Sequence, residues 1–166
     1  MWRLRNHNPS NKLQDRLFVF VRSLAAAKLA LPPRYLDPAR HTLEAESNHD
    51  HHARLICILH IHAASLLAQL STIECLEIQL IGCLEHCQNI VSVIQHCDGQ
   101  YTTSVDPAIC FIIFLALIIL HQIGTSAWGI PTPVSKNIKS DKTLLLLLLQ
   151  HFQRYWELPR LLLRMF

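Results

Sequence analysis

Thirteen consecutive apolar residues, Ala108 to Leu120 (AICFIIFLALIIL), constrain this chain more than any other segment. No polar residue interrupts them, so a helix built from them is apolar on every side and has to be covered on every side. They are too few for a bilayer, whose hydrocarbon core takes about 20 residues of helix, and their length suits a buried core helix. Asp106 and Pro107 precede the run as an N-cap and a first-turn proline, and Gly124 follows as a stop. The run predicts a central helix reaching Gln122, with the rest of the chain packed around it.

Three stretches supply helices to surround it. Leu13, Leu17, Phe20, Leu24 and Leu31 recur at helical spacing and predict a helix over 13–31, ended by Pro32-Pro33. His52, Leu55, Ile56, Leu59, Ala63, Leu66, Leu67 and Leu70 form the stripe of a helix over 50–70, with Asn48 or Asp50 as its cap. Ser71-Thr72-Ile73-Glu74 has the capping-box pattern and opens a third, lined by Leu76, Leu80, Cys83, Leu84, Cys87, Val91 and Ile94 and stopped at Asp98-Gly99. After the central helix, residues 124–140 read as a linker. Ser140 or Asp141 then caps a last helix running to Trp156, and Pro159 breaks or restarts it into a short amphipathic tail. Residues 1–12 read as a polar tail and 32–48 as a loop. The expected architecture is a single all-α domain over 13–166, an irregular bundle of about five helices.

Composition agrees with a packed core rather than a disordered or turn-rich chain. Hydrophobic residues make up 51% and charged residues 16%, and only four glycines occur, too few for a β-sandwich or barrel. The net charge of +3 is too small to mark a nucleic-acid binder, but it is unevenly spread. Residues 1–41 hold eight Lys and Arg against two acids, a net +6, while 42–110 hold Arg54 alone against eight acids, a net −7. A basic arm beside an acidic body suggests internal pairing or solvation, with nucleic-acid or lipid contact as the alternative. The six cysteines fall on apolar helix faces, and Trp2-Arg3-Leu4-Arg5 leads into polar residues rather than a secretory signal. Free buried thiols in a reducing compartment are expected.

Two clusters carry metal-ligating chemistry. His49, Asp50, His51 and His52 stand in a row, with His60 and His62 further on, but adjacent helical residues diverge by about 100° and the row reads as a polar helix start. Cys83, His86 and Cys87 share one helix, with no C-x-x-C pair anywhere to complete a structural zinc site, and they read as core residues. No nucleophile elbow and no glycine-rich phosphate loop occur. Glu74 and Glu77 sit where acids favour the start of a helix, and Trp128, Tyr155 and Trp156 read as packing aromatics. No catalytic residue and no cofactor follow from the residues.

Four segments taken in order carry a resemblance. Leu31-Pro32 precedes LICILHIHAASLL; then come CLEHCQNIVSVI, the helix opened by Asp106-Pro107 (CFIIFLALIILHQ), and LLLLLLQHFQRYWELPRLLLRMF with its Tyr155-Trp156 pair. Over residues 29–166 this resembles the C-terminal part of the regulatory, or middle homology, region of fungal zinc binuclear cluster transcription factors. Pro159 departs from the pattern, where the family continues its helix. The family's six-cysteine DNA-binding cluster is missing, since none of the six cysteines has its spacing. The resemblance implies a non-enzymatic helical domain, a piece of a larger regulatory region, that works in the nucleus through protein partners or self-association and without direct sequence-specific DNA binding. Two other readings stay open: a small membrane-associated helical protein with residues 108–123 as the inserted segment, and a metal-binding helical protein using the His and Cys clusters.

Overall fold

The computed structural model describes residues 9–39, 43–71, 76–97, 106–125 and 132–166. Of the expected polar tail 1–12, residues 1–8 lie outside the described residues and 9–12 form the start of the first helix rather than a tail. The expected caps and stop at Thr72–Glu74 and Asp98-Gly99, Cys75 and Trp128 also lie outside the described residues, as does the Glu77 side chain. Among the described residues the chain is all α-helix, in seven helices: α1 (Pro9–Ala30), α2 (Pro33–Leu36), α3 (Asn48–Leu70), α4 (Leu76–His96), α5 (Ile109–Thr125), α6 (Thr132–Phe152) and α7 (Glu157–Met165). Five was an undercount. The two additions are α2, a single turn that starts on Pro33 within the expected loop, and α7, which stands apart from α6.

The apolar run is the centre of the molecule. In α5, Cys110, Ile113, Ala116, Leu117 and Leu120 are wholly or almost wholly shielded, and Phe111 is the large apolar side chain left outward. Asp106 opens the segment as expected, its carboxylate accepting from the Ala108 N–H at 2.8 Å. The other end differs. Gly124 is inside α5 and does not take the left-handed conformation of a stop. Its use is steric: a Cβ built there would meet Ile138 of α6 at 3.3 Å, so the missing side chain lets the two helices approach.

Around α5, the most extensive contacts join α3 to α4, α5 to α6 and α4 to α5. Leu55, Ile58, Leu59 and Leu66 of α3 meet Cys83, Cys87, Ile90 and Val93 of α4 in one continuous core with α5. Helix α6 begins eight residues before the expected cap at Ser140. Its buried stripe of Ile138, Leu145, Leu149 and Phe152 follows helical spacing across a polar stretch, and Asp141 lies half-buried within the helix rather than capping it. The chain turns at 153–155, and α7 restarts after Trp156 with Pro159 in its first turn, where proline is tolerated. Ser71 likewise closes α3 instead of opening α4: its N–H donates to Leu67 and Ala68 carbonyls and its hydroxyl to Leu67.

Helix α1 sits apart from this core. It packs on α3 through half-buried Leu17, Leu24 and Lys28, whereas Phe20 is 47% exposed. Helix α3 is the one described helix long and apolar enough to cross a membrane by length and composition, with mean hydropathy 1.5; α5 is shorter, at 17 residues.

Candidate functional site

Polar chemistry collects along α3. At its start Ser47, not Asn48 or Asp50, is the N-cap: its hydroxyl accepts from the Asp50 N–H at 3.1 Å and donates to the Asp50 carboxylate at 2.6 Å. That hydroxyl holds the Asp50 carboxyl below its usual range. One residue earlier Glu46 turns inward. Arg54, one turn and a half along α3, donates to both Glu46 carboxylate oxygens, at 2.6 Å from Nε and 3.0 Å from Nη2. The same guanidinium donates to the carbonyls of Asp37 and Ala39, so it ties the chain after α2 to the body of α3. His51 joins the pair, its Nδ1 lying 3.1 Å from Arg54 and 3.3 Å from Glu46. Hydrogen bonding to Arg54 holds the Glu46 carboxyl below its usual range. Ala45, just before Glu46, has φ 59°, the left-handed region that costs an L residue about 1–2 kcal/mol.

Further along α3, His62 meets His86 of α4, Nδ1 to Nδ1 at 3.4 Å with ring centroids 5.6 Å apart. Burial pushes the His62 imidazole down to about 4, with the neighbouring His86 and Lys28 charges adding to the shift. His86 is lowered by burial and by Lys28, against the opposing pull of Glu85. Beside the pair a cavity of about 190 Å³ opens between α1, α3 and α4, with Lys28, Ser65, Gln69 and His86 among its walls.

These contacts divide the candidate residues. His49 is exposed, while His51 and His52 are buried at 8% exposure. His51 is taken into the arginine pair. Burial lowers the His52 imidazole, with the charges of His49 and His51 adding to it. Cys83 and Cys87 are completely buried, whereas His86 is half-buried and turned to His62. Burial raises both thiols, and on Cys87 the charges of Cys83 and of Asp141 from α6 act in the same direction. The helix thus separates His86 from the cysteines it accompanies in sequence. Among the described residues no three His, Cys, Asp or Glu side chains form a metal-holding group.

Sequence reasoning missed the Glu46–Arg54 pair and the His62–His86 contact. One signal was present for the first: Arg54 is the sole Lys or Arg between residues 42 and 110. None was present for the second, because its partners are 24 residues apart on different helices. No family model matches the sequence, and no curated protein and no solved structure matches the chain.

Proposed function

We propose that this chain is a non-catalytic helical domain of the transcription-regulator type, acting in the nucleus through protein contacts made by α1. The observation that carries this is the outward side of that helix. Phe18 is 66% exposed, Val19 62% and Leu29 87%. Phe18 and Leu29 are eleven positions apart, about three helical turns, so they stand in one line with Arg22 between them. Exposed aromatic and aliphatic residues lined up on one helix and flanked by charge are the composition of a contact surface. Arg16 and Arg22 lie exposed on the helix with Asp15 the only acid, so the partner of matching chemistry is an apolar surface bearing acidic groups. The likeness of residues 29–166 to the fungal regulatory region supports the same reading: its four segments fall in chain order on α3, α4, α5 and α6–α7.

The full chain fused to a heterologous DNA-binding domain is expected to change transcription of a reporter several-fold. The triple variant F18S/V19S/L29S, checked for unchanged helical content, is expected to return it to baseline. A wild-type fusion that leaves the reporter silent would overturn the reading. Sedimentation of the same preparation separates binding to another protein from self-association. Retention in a carbonate-washed membrane pellet would favour the membrane-associated alternative, although among the described helices it is α3, and not the segment 108–123 expected to insert, that has the length and hydropathy of a span.

A further inference from the structure

Two cationisable side chains, from α1 and α4, line one small cavity, and a third from α3 stands behind them. Lys28 of α1 and His86 of α4 line the opening of about 190 Å³, and His62 of α3 touches His86 at 3.4 Å. The described charges that act on the two rings are Lys28 and the exposed Glu85 of α4. Lys28 is half-buried here although its side chain is a strongly hydrated point charge. Burial and the Lys28 charge hold both rings neutral in the absence of an anion, so the pair takes up a proton only when something of opposite sign stands beside it.

We propose that this cavity between α1, α3 and α4 is a binding site for a small dianionic oxyanion of the phosphate class, held by Lys28 and by His86, whose ring shares one added proton with His62 behind it. The charges match. Lysine supplies one positive charge. The Nδ1–Nδ1 contact supplies a second, because a protonated ring donates to its neutral partner without breaking the contact. A second proton on the pair would set two donors against each other, so uptake stops at one. The size matches as well. A volume of about 190 Å³ is that of about six waters, enough for a tetrahedral oxyanion with a small ester group. Leu24 and Ala25 of α1 and Ala68 of α3 supply apolar wall beside Lys28 and His86. Gln69 reaches the site because α4 carries Gly82 opposite it: a Cβ there would meet the Gln69 amide nitrogen at 2.5 Å. Ser65 also lines the wall, its hydroxyl donating to the Ile61 carbonyl at 2.9 Å.

A bound oxyanion would link α1 to α3 and α4 through charge. Its affinity is tied to pH by the proton it brings. The groups facing the pair are Lys28 from α1, Glu85 on α4 itself, and the two rings of α3 and α4. Both rings are held neutral in the absence of an anion, so the proton is taken up together with the anion and binding tightens as pH falls.

The test uses the full chain and sulfate, which stays dianionic throughout, with sodium chloride of equal ionic strength as reference. Ring nitrogen signals of the histidines are followed by NMR at about pH 7.5 and about pH 6, on either side of the ordinary histidine value. The expected result is a saturable shift confined to His62 and His86, several-fold tighter at the lower pH. Lys28→Gln is expected to weaken it about tenfold, the loss of one charge-assisted contact, while Lys28→Arg retains it. Inorganic phosphate and methyl phosphate are compared in parallel: tighter binding of the ester identifies a phosphomonoester as ligand, and equal binding identifies the free ion. A shift that does not saturate, or that chloride reproduces, overturns the proposal. So does a Lys28→Gln variant that keeps its thermal melt and binds sulfate as tightly as the parent. The site does not depend on the α1 contact surface, so failure of either leaves the other standing.

Discussion

Arg54 shows how one side chain can hold a loop in place. It is 8% exposed, and its partner Glu46 has a side-chain exposure of 2%. A buried pair adds little over a well-packed apolar substitute, but removing one member leaves the other charged and unpaired. Arg54→Ala is therefore expected to cost about 3–5 kcal/mol in urea unfolding, from the stranded Glu46 carboxylate and the released Asp37 and Ala39 carbonyls. Arg54→Lys should recover little of this, because an ammonium cannot fork onto both carboxylate oxygens. The isolated arginine was visible in the sequence, but its partner was not. Glu46 lies outside the helix in a segment rich in turn-forming residues, directly after the left-handed Ala45, and no periodicity marks it.

At the scale of the helix, the six consecutive leucines from 144 to 149 divide by face. Leu145 and Leu149 are completely shielded, four residues apart on the side that meets α5, while Leu147 is 59% exposed. Leu149→Ala is expected to destabilise the fold by about 2–5 kcal/mol and Leu147→Ala by less than about 0.5 kcal/mol, measured by denaturant unfolding at constant m. Equal losses would mean that α6 packs on a different face. Helices with continuous apolar stripes were legible from sequence. Helix α5 follows three residues after the expected cap Asp106. The expected stripes of α3 and α4 hold most of their buried faces, but Leu67 is 53% exposed and the buried Ile58, Ile90 and Val93 fall outside them. The start of α6 was not legible, because Lys136, Asn137, Lys139, Ser140 and Asp141 surround its one early core residue, Ile138, and imitate a linker. Gly124 misled for a related reason. Glycine serves both helix stops and close helix approach, and sequence does not distinguish them.

Over the whole molecule, buried titratable groups define a window of stability. Burial lowers the imidazoles of His52, His62 and His86, so below their ordinary value of 6.5 the unfolded chain takes up protons more readily than the fold. Stability is expected to fall as pH drops from 6.5 toward 4, and to fall further as the lowered Glu46 and Asp50 protonate. Asp141, raised by burial, opposes this in part. At the other end Cys83, Cys87, Cys97 and Cys110 are all raised, the last two to about 11, so the unfolded chain loses thiol protons first above 9.0. Thermal melts are expected to plateau between these limits and decline on both sides; a melting temperature that rises between pH 6 and pH 4 would contradict the assignment of buried neutral histidines. The candidate site was less legible than the fold, because its polar groups are brought together by helix crossings rather than by spacing along the chain. From α3 onward, though, the dominant contacts join helices that follow one another: α3 with α4, α4 with α5 and α5 with α6. Few long loops have to close before a contact forms, and the entropy of closure grows only slowly with length. During synthesis each helix from α4 onward therefore emerges next to a partner it will keep, and over that part of the chain the order of translation is also an order of assembly.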